Sequence, residues 1–142
     1  MGSLADLLLA TYEDIPDIVA SDYPLGSYKG TNVDGLDPLM LLALHSMLAQ
    51  SPIEQLVGKY EPVAQASEEG PWLIRIPPEL LMILADIAPH DIDPMAEKWV
   101  QTDQLRGSGW TQDDIYIFLE ALILYAQSIA GSGKELFLWS YG

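Results

Sequence analysis

The stretch TQDDIYIFLEALILYAQSIAG, residues 111–131, constrains the fold of this chain more than any other. Thr111 and Asp114 stand three apart ahead of an apolar run, the pattern by which side-chain oxygens satisfy the free N–H groups of a first helical turn. Gly131 follows where a helix closing in left-handed geometry favours a residue without a Cβ. What lies between is apolar around nearly the whole helical circumference, whereas a surface helix confines Leu, Ile and Phe to one stripe. The run falls short of the ~20 residues that span a bilayer and carries Glu120 and Gln127. The pattern therefore predicts a long helix over 112–130 at the centre of the fold, with Leu119 and Leu122 buried against a sheet.

Similar start signals recur along the chain. Ser3 with Asp6, Asp37 before Pro38, Ser51 before Pro52 and Asp93 before Pro94 each place a capping oxygen ahead of apolar residues, and Pro77 and Pro78 introduce PPELLMILADI. Helices are expected near 3–11, 38–49, 52–59, 78–88 and 94–102. Residues 21–36, SDYPLGSYKGTNVDGL, are turn-rich without a helical or strand period and are expected to form an ordered loop. PVAQA and WLIRI flank SEEGP as a hairpin would, and ELFLWSY has strand composition. The class is thus α+β: a single domain over 1–142, helix-rich, with a small and mostly antiparallel sheet of about three strands. A hairpin alone is marginal, so the three segments are expected in one sheet.

Charge narrows the function. There are 21 Asp and Glu against 6 Lys and Arg, a formal net charge of −15. Nucleic-acid affinity comes mostly from Lys and Arg displacing counterions, so nucleic acid and anionic membranes are excluded as partners. The acid either steers a basic protein partner in or keeps an apolar chain in solution. The opening MGSLADLLLATYEDIP lacks a basic leader and is interrupted by Asp6, so a helix is expected there rather than a signal peptide. With no cysteine, thiolate metal sites and disulfides are excluded, which suits a reducing cytoplasm.

GSGK, residues 131–134, has the look of a phosphate loop. Such a loop needs a glycine where Ser128 stands, a Ser or Thr where Glu135 stands, and a strand before a helix. Here the order is helix then strand, so Gly131 and Gly133 are assigned to the helix end and Lys134 to its negative pole. No cofactor is expected.

The order LDPLMLLALHSML, GPWLIRIPPELLMILADI and GSGWTQDDIYIFLEALILYAQSIAGSGKELFLWSY, over roughly residues 33–142, resembles the YfbM-like family of small bacterial proteins. The shared features are an apolar helix retaining a histidine, a GP…R strand leading into a helix, and a long helix before a terminal strand. The resemblance implies an α+β fold in the bacterial cytoplasm with no assigned activity. Leu41 and Leu42 stand where the family carries a Trp-His pair, which leaves any role of that pair without its residues.

Candidate chemistry is sparse. His45 lies on an apolar stretch, as a core histidine does, and His90 lies near Asp86, Asp91 and Asp93 but lacks the third ligand and glycine of a calcium loop. No catalytic residue and no metal site are assigned. Glu120 either lies on the solvent stripe of its helix, with Gln127, or is buried and then needs a partner, for which Arg75 in WLIRI is the natural choice. Trp72, Trp99, Trp110 and Trp139 fall at or near element boundaries, where an indole packs its body and wets its N–H. Two functions follow. The first is a non-enzymatic acidic interaction protein, immunity- or antitoxin-like, that covers a basic partner. The second is a small-molecule or hydrolytic domain with a tryptophan-walled cleft. Binding residues are expected among His45, Trp72, Arg75, Trp110 and Glu120.

Overall fold

A computed structural model describes residues 4–141 and has five strands and six α-helices in that span. In chain order these are β1 (Leu4–Ala10), α1 (Ile15–Val19), β2 (Lys29–Asn32), α2 (Pro38–Ala49), α3 (Ile53–Leu56), β3 (Ala64–Gln65), β4 (Trp72–Arg75), α4 (Pro78–Ala85), α5 (Ile92–Val100), α6 (Gln112–Ile129) and β5 (Glu135–Tyr141). The strands form one sheet in the order β2-β1-β5-β4-β3, and every pairing is antiparallel.

The α+β class holds, and PVAQA, WLIRI and ELFLWSY contribute three neighbouring strands of one sheet. The strand number is corrected from about three to five, and both additions have a physical reason. The expected helix over 3–11 is instead strand β1 over Leu4–Ala10. Its residues Ala5 to Ala10 are all buried, because the sheet is covered on both faces. A strand buried on both faces shows a continuous apolar run rather than an alternation, and over seven residues such a run is indistinguishable by period from a buried helix. The expected loop over 21–36 contains β2, an edge strand whose residues Lys-Gly-Thr-Asn carry no apolar face to betray it. A 3₁₀ turn (Tyr12–Asp14) and α1 follow, beyond the expected helix over 3–11.

Most other helices lie where the caps put them. Asp37 accepts a hydrogen bond from the Leu39 amide at 2.7 Å and opens α2. The expected cap at Asp93 is corrected: α5 begins at Ile92, so Asp93 and Pro94 lie within its first turn. The expected helix over 52–59 is split into α3, preceded by Pro52 rather than capped by Ser51, and a 3₁₀ turn over Val57–Tyr60.

Residue alternation along the strands builds two cores. Leu7, Leu9, Ile74, Leu136 and Leu138 face the larger one, made with α2, α4, α5 and α6. Leu8, Leu73, Phe137 and Trp139 face the other, which α1 closes with Ile15 and Ile18. Leu119 and Leu122 of α6 are fully buried in the same core as Leu136 and Leu138, as expected. The expectation that α6 is enclosed on most sides is corrected. It packs on α4, α5 and β5, but Ile117, Glu120, Leu124 and Gln127 form an exposed stripe. The helix ends as expected, with Gly131 at φ +71° and the Ser132 amide donating to the Ile129 carbonyl.

Candidate functional site

Of the five expected binding residues, Trp110, Arg75 and Trp72 line three different hollows. Glu120 lies on the solvent stripe of α6, the first of its two readings, and Arg75 pairs with Glu135 instead. Both belong to neighbouring stretches of β4 and β5, which is why the sheet rather than the helix supplies the partner. Arg75 also borders an apolar hollow of about 300 Å³ between α4 and the end of α6, with Met82, Ala85, Ile129 and Lys134 around it. Trp72 borders a separate hollow with Tyr60, Pro62 and Tyr141.

His45 is buried, as an apolar stretch implies, and its Nδ1 lies 2.9 Å from the Tyr60 hydroxyl, with the rings edge to face. Burial holds the imidazole below its ordinary pKa of 6.5, partly opposed by the charge of Glu79. Burial likewise raises the Tyr60 phenol. The pair is a neutral, hydrogen-bonded part of the core, since an imidazole so placed is costly to protonate. His90 is exposed, and among the described residues only Asp91 lies within ion-pair range of it. Among the described residues, no group of three or more His, Asp and Glu side chains could hold a metal ion.

The tryptophans divide into anchors and walls. Trp99 stands next to the end of α5, as expected, but its N–H is not wet: the side chain is fully buried and its indole donates to the Met40 carbonyl at 2.9 Å. Trp139 is buried, with no hydrogen-bond partner for its indole nitrogen among the described residues. Trp110 does something different. It stacks edge-on against Phe118 with ring centroids 5.5 Å apart and against Trp99 at 6.5 Å, so the aromatic core fixes its plane. Its other side borders a hollow of about 380 Å³ between the Thr31–Asp34 edge and the first turns of α6.

This groove has an acid and aromatic lining. Trp110, Phe118 and Ile117 form its apolar wall, and Asp34 and Asp114 carry its charge. No Lys or Arg is among the described residues that line it. Asp114 is the third residue of the α6 capping box, accepting from the Thr111 amide at 2.9 Å, so its carboxylate is held in place. Asp34 is held too: its Oδ1 accepts from the Ala5 amide at 2.8 Å and from Asn32 Nδ2 at 3.0 Å. The same Asn32 nitrogen donates to Asp6 at 3.0 Å. Asp6 is buried in β1; burial raises its pKa, the Asn32 hydrogen bond opposes this, and the charge of Asp34 adds to it. The chain turns beneath Trp110 at Gly35, where φ is +92° and a Cβ would lie 2.9 Å from the indole nitrogen. Only glycine fits both demands.

Composition and local motifs flagged Trp110 but missed Asp34 and Asp114. Asp114 was legible only as a cap, and Asp34 only as a turn residue; the sheet and α6 bring them to one groove. The arrangement lacks a nucleophile paired with a base, and its groups suit the binding of a cation. Among the described residues no helix is long and apolar enough to cross a membrane. Comparisons with protein-family models, curated proteins and solved structures find no match to this chain.

Proposed function

We propose that this chain is a non-enzymatic acidic interaction protein, working in the cytoplasm, whose groove receives a basic side chain of a partner protein. The observation that carries the reading is the groove of Trp110, Phe118, Ile117, Asp34 and Asp114, lined without a cation in a chain of net charge −15. A guanidinium over an indole gains cation–π attraction, more when water is excluded, and fixed carboxylates beside it complete the match. The overall charge would speed encounter with a basic surface, and the groove would choose where it docks. An immunity- or antitoxin-like role, in which an acidic protein covers a basic one, is of this kind. The alternative hydrolytic reading has less support, since His45 is bonded to Tyr60 in the core, Arg75 pairs with Glu135 and Glu120 lies on the solvent stripe of α6.

Isothermal titration with a short arginine-containing peptide tests the reading. Binding is expected at about 50 mM salt, weakening several-fold at about 500 mM as screening shortens the reach of the carboxylates. The Asp34→Asn, Asp114→Asn double variant should lose about tenfold or more, on the scale of a truncated charge pair. Undiminished affinity in the double variant would refute the assignment of this groove.

A further inference from the structure

We infer that the partner segment binds as an extended strand, added to the free edge of β2, with its basic side chain reaching into the groove. The inference rests on the reading of the groove as a cation site and adds how the partner's backbone is held. Among the described residues β2 is the outermost strand of the sheet and pairs only with β1, so its outer edge offers N–H and C=O groups to another strand. The groove lies at that edge: Thr31, Asn32, Val33 and Asp34 form one wall and the first turns of α6 the other. A cleft between an edge strand and a helix is the setting in which extended peptides join a sheet, with main-chain hydrogen bonds giving affinity and alternate side chains giving specificity.

The register fixes which side chains enter. Thr31 lies opposite Leu7, which faces the helix-side core, so Thr31 faces the helix layer. Side chains of an added strand alternate in the same way, and every second one would point toward Ile117, Trp110 and Phe118. Ile117 is 63% exposed, an apolar side chain with no cover of its own. The charges along the edge are also asymmetric. Lys29 stands at one end of β2 and Asp34 just beyond the other, so the arginine or lysine of the added strand belongs at the Asp34 end.

The probe is the acetylated and amidated peptide Thr-Val-Arg-Val-Thr, compared with two versions N-methylated on one or the other alternating set of amides. An added strand turns one set of amides toward β2 and the other toward solvent. One methylated version should therefore lose about tenfold or more in affinity while the other binds nearly as the parent does. Amide exchange of residues 29–32 should slow on binding. Ile117→Arg, at an exposed position, should fold with unchanged melting temperature and abolish binding. If the parent peptide binds and both methylated versions bind equally well, strand addition is overturned while the cation groove stands. If the parent does not bind even at low salt, the reading of the groove falls and this inference falls with it.

Discussion

His45 and Trp110 are both aromatic rings beside oxygen, and the protein uses them in opposite ways. The His45 ring meets the Tyr60 hydroxyl inside the core, where burial keeps both groups neutral. Trp110 has one side in the aromatic core and the other on an open groove with two exposed carboxylates. The first arrangement is satisfied within the chain and contributes stability. The second leaves charge and apolar surface open to solvent. Burial, more than residue type, separates a polar pair satisfied in the core from the open groove proposed to bind a partner.

The largest effect that sharpens this contrast lies in the closed region. Leu119→Ala and Leu122→Ala, each removing a fully buried side chain, should cost about 2–5 kcal/mol by chemical denaturation and leave the lining of the groove intact. Losses below about 1 kcal/mol in both would place α6 at the periphery. Gly35→Ala comes next. It forces a left-handed backbone and crowds the Trp110 indole, so a cost of about 1–3 kcal/mol is expected, together with a shifted Trp110 indole resonance and weaker peptide binding. Tyr60→Phe should cost about 1–3 kcal/mol at neutral pH, because it strands the buried His45 nitrogen, while leaving peptide affinity unchanged.

Acid should act on the closed pair with a definite sign. The folded state holds His45 below its ordinary pKa of 6.5, so below about that pH the unfolded chain binds more protons. Stability contributed by neutral His45 is therefore present above pH 6.5 and lost as pH falls toward the depressed folded value. A denaturation series from pH 7.5 to pH 5 should show this decline, and it should flatten in His45→Gln. The smallest stability effect belongs to the open region: Asp114→Asn keeps an acceptor for the Thr111 amide and should stay within about 0.5 kcal/mol of the parent.

Local signals made most helices legible but not α1, which opens without a side-chain cap, and they hid two strands. Asp37 and Thr111 cap α2 and α6 through side chains only two or three residues from the amides they bind, so sequence alone exposes them. β1 was hidden because LADLLLA is apolar on both faces, and β2 because KGTN is apolar on neither. Trp110 was visible as an aromatic ahead of a capped helix. Its groove was not, because Asp34 and Asp114 come from distant parts of the chain and meet only through the packing of α6 near β2.

The central claim is that recognition is local to this groove and not a diffuse attraction to acid. Chemical-shift mapping of the ¹⁵N-labelled protein during titration with the arginine peptide tests it most directly. The account predicts perturbations at Thr31, Asp34, Ile117 and the Trp110 indole, saturating together with one affinity. Shifts spread instead over distant acidic residues such as Glu54, Glu68 and Glu97, without saturation, would contradict it.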